Sequence, residues 1–415
     1  MNGIKEYGFD TGFESFQMGD VGGFRKRNVF FSETVQLRKP SLKNLTAAQF
    51  LSSVEPYIPP ELISNKNYAE MKQLTSYFSG GITSFFGFES RLNSRGARSD
   101  YLFAVSAKKG EREALASLFE NKRLPEAFMQ KPEWQQVERF VTTWADPSSV
   151  LYKKVLGLWF EFDTACPSSD IPVPSIFIHL HPLRIDAPSD VEQCRWITQS
   201  ALPVLTGQQV SEKMEHRLFD CIEKLPKGAS MLDVGVMLSR STPGMRLIIT
   251  RIKIRQIIPY LNSIGWSDEN EGLSTLFKEL THSVSRVVLH INIDENGVAP
   301  KVGIECSFSP DRYHQETRWS DFLDYLVKKK ICSPKKRSAL LTFSGVEQED
   351  VNDEFNLQSF MVSARIPHDN FSRALVRYIS HVKLVYKPNA PMEAKAYSGV
   401  RLFGMPKEEF SYSVQ

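Results

Sequence analysis

Five pairs of short segments that alternate polar and apolar residues recur along this 415-residue chain, separated by helical segments. The pairs are TSFFGFESR with DYLFAVSAK, KVLGLWFEFD with PSIFIHLH, SMLDVGVMLSR with GMRLIITRI, VSRVVLHINID with PKVGIECSF, and SHVKLVYKP with MEAKAYSGVRL. Alternation of this kind is typical of half-buried strands. Ten strands in one repeating unit predict a single closed sheet rather than a row of unrelated domains.

The alternation also predicts what each face of the sheet does, because successive side chains of a strand point to opposite sides. In VSRVVLHINID, Val287, Leu289 and Ile291 share a nearly apolar face, and Arg286 and His290 lie on a largely polar one. Ten strands close into a barrel too wide for short side chains to fill, so we expect the polar face to line a chamber. An open antiparallel sheet with one solvated face is the alternative.

One glycine in each pair favours the chamber, because a lumen that holds a ligand can use the space that a side chain would fill. These glycines are Gly87, Gly157, Gly235, Gly303 and Gly399.

Helix start signals and apolar spacing place two or more helices between successive strand pairs. Ser189, Ser211 and Ser333 are suited to capping three of these helices, and Pro259 predicts that another is short or kinked. The predicted fold class is therefore α+β: a ten-stranded antiparallel barrel built from five ααββ repeats and surrounded by helices. Residues 45–403 form this single domain, residues 1–44 an N-terminal extension or lid, and residues 404–415 a C-terminal tail.

Composition favours a soluble cytoplasmic protein that handles a ligand. A net charge of +3 is too close to neutral to predict a nucleic-acid partner. The five cysteines are widely separated, which is typical of reduced thiols in a reducing compartment. No run of about 18 apolar residues predicts a membrane span.

Charged residues predicted on the inner face supply possible chemistry. The cations are Arg246, Arg286, Lys383, Lys395 and Arg401, and the acids are Glu89, Glu161, Asp163, Asp233 and Glu305. A diphosphate leaving group needs several cations, and a carboxylate can serve as the general base. The alternative is that these charges simply pair across the barrel. His179 and His181 have a spacing that zinc can use, but a third ligand is not evident, so no metal site is predicted.

The repeated helix-helix-strand-strand units resemble the ABBA architecture, or PT barrel, of soluble aromatic prenyltransferases, over roughly residues 45–403. In that family inward Lys, Arg and Tyr side chains hold an isoprenoid diphosphate, often as Lys-x-Tyr pairs, which Lys395 and Tyr397 match. Indole-type members carry on the first strand an acid that abstracts a proton from the acceptor, and Glu89 occupies the corresponding place. Family members also line the lumen with tyrosines, for which Tyr397 and Tyr101 are the candidates here.

The resemblance implies a prenyltransferase-like enzyme of natural-product biosynthesis. It would transfer an allylic isoprenoid from a diphosphate, such as dimethylallyl or geranyl diphosphate, to an aromatic small molecule or a peptide. Glu89 and Glu161 are the predicted catalytic residues. Predicted substrate-binding residues are Arg246, Arg286, Lys383, Lys395, Tyr397, Arg401, Trp159, His179 and His290. No cofactor is expected to be required, and magnesium is possible but not predicted.

Two alternatives remain open at the level of the sequence. The first is a barrel without catalysis that binds a hydrophobic ligand or a precursor peptide. The second is a barrel enzyme that runs another reaction, such as cyclisation or elimination, on a natural-product precursor.

Overall fold

The computed structural model describes residues 46–108, 110–164, 171–240, 244–266, 271–310, 312–348 and 371–406. The predicted N-terminal extension, residues 1–44, lies outside these ranges. So do residues 407–415, whereas the last strand continues to Pro406, past the start of the predicted C-terminal tail at residue 404.

Ten strands close into an antiparallel barrel, as the repeats predict. The strands are β1 (Phe85–Arg91), β2 (Ser99–Ser106), β3 (Val155–Phe162), β4 (Ser175–Leu183), β5 (Ser230–Val236), β6 (Met245–Thr250), β7 (Arg286–Asp294), β8 (Gly297–Ser307), β10 (Phe371–Tyr386) and β11 (Glu393–Pro406). Each pairs with the next, and β11 pairs with both β10 and β1, which closes the sheet. The predicted fold class is confirmed.

Helices surround the barrel in the predicted order. They are α1 (Ala47–Ser52), α2 (Asn65–Thr75), α3 (Glu111–Glu120), α4 (Glu126–Met129), α5 (Pro132–Ala145), α6 (Val150–Lys154), α7 (Pro188–Cys194), α8 (Leu202–Thr206), α9 (Glu212–Glu223), α10 (Ile254–Ser263), α11 (Glu271–Leu280), α12 (Arg318–Lys328) and α13 (Pro334–Phe343). Within the described ranges, none is both long and apolar enough to cross a membrane.

The predicted start signals hold for two of the three serines. Ser211 accepts a hydrogen bond from the backbone N–H of Met214 and begins α9, and Ser333 caps α13 with a proline in its first turn. Helix α7 begins two residues earlier than expected, so its N-cap is Ala187 instead of Ser189. Pro259 lies inside α10, which ends within one turn of it.

The outward face of the barrel and the helices form the main core. The rings of Phe103 on β2 and Phe160 on β3 stack with their centroids 4.8 Å apart, and Trp134 of α5 stacks on Phe162 at 6.3 Å. Tyr101 belongs to this outer layer, where its ring packs against Phe103, so the prediction that it faces the lumen is wrong. Asp100 and Leu102 flank it on β2, and Leu102 lines the cavity instead.

Strand β10 contains a β-bulge that the sequence pattern does not predict. Its pairing with β11 skips one residue between Ile379 and His381, so Ser380 is the extra residue. Tyr378 belongs to the apolar cluster inside the barrel on one side of the bulge, and Lys383 lines the cavity on the other. The bulge therefore lets both halves of a 16-residue strand present side chains to the lumen. A short strand β9 (Gly345–Gln348), also unpredicted, pairs with the first half of β10.

Two of the lumen glycines make room for protein side chains, not for a ligand. A Cβ at Gly235 would lie 2.5 Å from the ring of Phe177, and one at Gly399 would lie 2.9 Å from the rings of Phe85 and Tyr378. The inference that these glycines leave open space for a ligand is wrong at both positions. Their role is to let large aromatic side chains lie flat against the barrel wall.

Candidate functional site

The barrel encloses a cavity of about 110 Å³. Six of the predicted site residues line it: Trp159, Glu161, Arg286, His290, Lys383 and Tyr397. Four of the other five each contact a residue that does, and Lys395 pairs with one of these four, Glu89. Glu89 adjoins Tyr397 and Lys383, Arg246 lies over Phe177, Arg401 over Phe85, and His179 against Asp233.

Glu89 lies at the centre of the densest charge cluster. One oxygen of its carboxylate accepts a hydrogen bond from the Lys395 ammonium, and the other accepts one from the Tyr397 hydroxyl. Lys383 Nζ donates to the same hydroxyl and lies 3.6 Å from the second oxygen. The strand register brings these four side chains together. Glu89 pairs with Tyr397 across β1 and β11, and Lys383 pairs with Lys395 across β10 and β11.

The two lysines decide the protonation of Glu89. Burial would raise the pKa of this carboxyl group, but the charges of Lys395 and then Lys383 outweigh burial and hold its pKa well below the usual range. Burial lowers the pKa of Lys383, against the opposing effect of Glu89. The KAY motif therefore does bring a lysine and a tyrosine together on one face, at a carboxylate that is ionised at neutral pH.

Glu161 has a different environment from Glu89, although both are buried inside the same barrel. It lines the cavity on β3, two residues from Trp159. Burial first, and then the negative charge of Glu89, raise the pKa of Glu161, while Lys383, Arg246 and Lys395 oppose them. A cavity-facing carboxylate with increased proton affinity is suited to general acid–base chemistry.

A carboxylate between two imidazoles lines another part of the wall. Glu305 Oε1 lies 2.6 Å from His290 Nε2 and 3.3 Å from His381 Nε2. Burial would raise the pKa of Glu305, but His381 and His290 outweigh it and hold the pKa well below the usual range. The ring of His381 stacks on that of Tyr397 at 4.2 Å, which joins this group to the Glu89 cluster. His381 was missed, although it lies two residues before Lys383 and alternation alone would have placed it inward.

The remaining predicted cations and acids are held by local partners. Arg246 Nε donates to Asn292 at 2.9 Å, and Arg286 Nε donates to Ser307 at 2.9 Å. His179 Nδ1 lies 2.8 Å from Asp233 Oδ1, whereas His181 is exposed. Asp163 pairs with Arg240 at 3.0 Å. Within the described ranges, no group of three or more His, Cys, Asp or Glu side chains is arranged to hold a metal ion.

Aromatic rings complete the wall. Phe85 and Trp159 meet edge to face at 5.4 Å, and Phe177 also lines the cavity. Tyr378 adds a further ring to the interior, and Tyr313 packs against it at 5.0 Å. Tyr378 was missed because the predicted strand SHVKLVYKP begins at Ser380, whereas β10 begins at Phe371.

The His290 environment predicts a pH-dependent stability. Burial lowers its pKa to about 4, with Glu305 opposing and Lys383 and Arg246 adding to the shift. Between pH 6.5 and 4 the unfolded chain binds a proton there that the folded chain does not, so stability falls as the pH falls through this window. The shift corresponds to about 3 kcal/mol at His290. Urea unfolding at several pH values measures it.

The His290→Gln variant should lose most of this dependence between pH 6.5 and 4. The exposed His216→Gln on α9 is the control and should keep it. An unchanged pH profile in His290→Gln would contradict the assignment.

No family model matches the sequence, and no curated protein matches it. Solved structures do match in overall shape. The prenyltransferase PriB in its apo form has 14% identity and a TM-score of 0.46, and the match covers 85% of this chain and 94% of that chain. The 5-dimethylallyl tryptophan synthase of Streptomyces coelicolor, in complex with DMASPP and Trp, has 13% identity and a TM-score of 0.46, with 87% and 95% covered. AnaPT of Neosartorya fischeri has 10% identity and a TM-score of 0.44, with 87% and 92% covered.

Proposed function

We propose that this protein transfers an allylic isoprenoid from its diphosphate to an aromatic small molecule or to a peptide side chain. The observation that carries the proposal is the convergence of Lys383, Lys395 and Tyr397 on one buried point at the edge of a cavity walled by aromatic rings. Such a site offers hydrogen-bond donors to an anion and aromatic rings to a carbocation.

The cations serve the leaving group. When the carbon–oxygen bond of the donor breaks, negative charge develops on the departing diphosphate. Buried donors fixed in place stabilise that charge more than water-exposed donors do. Lys383, Lys395 and Arg246 come from three different strands and act on the same region, since all three influence Glu161.

The aromatic rings serve the allylic cation. Phe85, Trp159 and Phe177 line the cavity, and each ring face can stabilise a cation by about 0.5 to 2 kcal/mol. The same rings exclude water, which would otherwise capture the cation. The electron pair of the acceptor then forms the new bond to carbon, and Glu161 accepts the proton that the acceptor releases.

The size of the cavity limits what can bind without movement. Its volume of about 110 Å³ is smaller than the roughly 150 Å³ cavity that holds one benzene. A donor and an acceptor together therefore do not fit inside the cavity as it stands, and they either extend past its mouth or displace side chains around it. Trp159 is only partly buried and lies at the wall.

A second candidate, a barrel that binds an apolar ligand without catalysis, is favoured by one observation. Glu89 already pairs with Lys395 and lies 3.6 Å from Lys383. Charges that satisfy one another need no diphosphate.

Binding of the donor distinguishes the two candidates. Dimethylallyl or geranyl diphosphate should stabilise the protein by about 2.7 kcal/mol at a hundredfold excess over its dissociation constant. The Lys395→Ala variant should lose most of this stabilisation, because one of the anion's cations is gone. Thermal unfolding with and without each diphosphate measures the effect, and product formation with an aromatic acceptor tests transfer directly.

The exposed Lys387→Ala, on the turn between β10 and β11, is the control and should respond to the diphosphates as the wild type does. If neither diphosphate changes the melting temperature at millimolar concentration, while an apolar compound or a precursor peptide does, the prenyl-transfer proposal fails and the binding barrel takes its place.

A further inference from the structure

Glu89 occupies the place where an anion of the donor would bind. Its two carboxylate oxygens contact the Lys395 ammonium and the Tyr397 hydroxyl, and Lys383 lies 3.6 Å away. The side chain of Glu89 is 1% exposed and does not line the cavity, whereas Lys383 and Tyr397 do. A ligand that enters the cavity can therefore reach the partners of Glu89, but only in competition with Glu89.

We infer that Glu89 is an internal competitor that restricts this subsite to polyanions such as a diphosphate and excludes anions of lower charge. The inference rests on the proposed function and deepens it. In this role Glu89 determines the specificity of the donor subsite, which differs from the role of proton acceptor that the family resemblance implied.

Glu89 has an entropic advantage over a free anion because its carboxylate is attached to β1. A free anion loses translational and rotational freedom when it binds, and Glu89 has lost that freedom already on folding. An anion with one charge would replace one carboxylate by another at this cost and gain no Coulomb energy. It therefore does not displace Glu89.

A diphosphate gains enough interaction energy from the cations to displace Glu89. It carries several charges on two linked phosphate groups, so it can accept hydrogen bonds from Lys383 and Lys395 together and still interact with Arg246. Charge-assisted hydrogen bonds to buried cations are about twice as strong as neutral ones. The subsite thus responds to the number of charges that a ligand brings.

Removal of the competitor should loosen this restriction. Glu89→Gln keeps the shape of the side chain and removes its charge. We expect it to bind inorganic diphosphate at least about tenfold more tightly than the wild type, a factor that corresponds to about 1.4 kcal/mol. It should also bind inorganic phosphate, for which we expect the wild type to show no affinity at millimolar concentration. Isothermal titration calorimetry on the full chain measures both probes.

Two further variants make the test specific. Glu89→Asp keeps the charge but withdraws the carboxylate by one methylene, so it should bind diphosphate with intermediate affinity even if Glu89→Gln fails to fold. Glu305→Gln removes another carboxylate of the same cavity, but one whose partners are His290 and His381. Because these imidazoles and not the lysines are its hydrogen-bond partners, we expect Glu305→Gln to raise the diphosphate affinity by less than Glu89→Gln does.

The outcomes separate this inference from the proposed function. Diphosphate affinities equal to that of the wild type in both Glu89 variants would overturn the inference and leave the proposed function standing. An equal gain in Glu305→Gln would overturn it too, because the effect would then come from the overall charge of the cavity. If the wild type and every variant fail to bind diphosphate, both the inference and the proposed function fall.

Discussion

The Glu161→Gln variant should lose about 10²- to 10⁴-fold in kcat for prenyl transfer, which is the usual contribution of a general base. Glutamine keeps the size of the side chain and its place on the cavity wall beside Trp159, but it does not accept the proton of the acceptor. Of the two carboxylates predicted as catalytic, Glu161 has the raised pKa and faces the cavity, whereas Glu89 is held ionised by two lysines. Steady-state kinetics with dimethylallyl diphosphate and an aromatic acceptor measures the loss.

Two controls accompany this measurement. The exposed Glu120→Gln at the end of α3 should retain the kcat of the wild type. The melting temperature of Glu161→Gln should stay close to that of the wild type, since a buried carboxylate with a raised pKa contributes no stability by its charge. A variant that unfolds more easily but turns over normally would show that Glu161 is structural.

The Lys336→Met variant should destabilise the fold by about 3 kcal/mol, the largest effect on stability that we expect from a single charged residue. Lys336 on α13 is 4% exposed, and its ammonium donates to three oxygens of the turn between β1 and β2. These are the carbonyl of Arg91 at 2.5 Å, the hydroxyl of Ser94 at 3.0 Å and the carbonyl of Gly96 at 2.9 Å. Methionine fills the same volume and leaves all three oxygens without this donor. Urea unfolding measures the change.

The neighbouring Lys335 is exposed, so Lys335→Met is a matched control one residue away and should change stability by less than about 0.5 kcal/mol. If both variants unfold alike, the contacts of Lys336 contribute nothing beyond an ordinary surface lysine. The turn that Lys336 holds joins β1 to β2, and β1 carries Glu89. Measuring donor binding by Lys336→Met therefore tests whether this turn also positions Glu89.

The register of the inner face was open to prediction from the sequence because it follows from strand alternation alone. In β3, Trp159 and Glu161 face the lumen, and in β11 so do Lys395 and Tyr397, as their spacing of two requires. Where one residue departs from alternation, the prediction fails. The bulge at Ser380 is such a case, because it puts Tyr378 and Lys383 on the same side of the sheet although they are five residues apart. Tyr378 itself lies before the predicted strand, which begins at Ser380.

The partners of each charge were not open to prediction from the sequence. Glu89 and Lys395 are separated by more than 300 residues, and they meet because β11 returns to pair with β1 and close the barrel. Nothing local in FFGFESR indicates that Glu89 ends between two lysines, and nothing local in WFEFD indicates that Glu161 remains without such a partner. Opposite pKa shifts in two glutamates of similar local sequence therefore depend on closure.

The role of the lumen glycines was likewise not predictable from the sequence. Gly235 and Gly399 are recognisable as positions without a side chain, but what fills the space lies on a neighbouring strand.

The sequence by itself determined the ten strands, the helices between them and which face of each strand is polar, because these follow from periodicity within a few residues. Only the tertiary structure decided which carboxylate is neutralised, which faces the cavity and how small that cavity is. Those properties depend on distances between residues far apart in the chain, and burial and charge act through such distances.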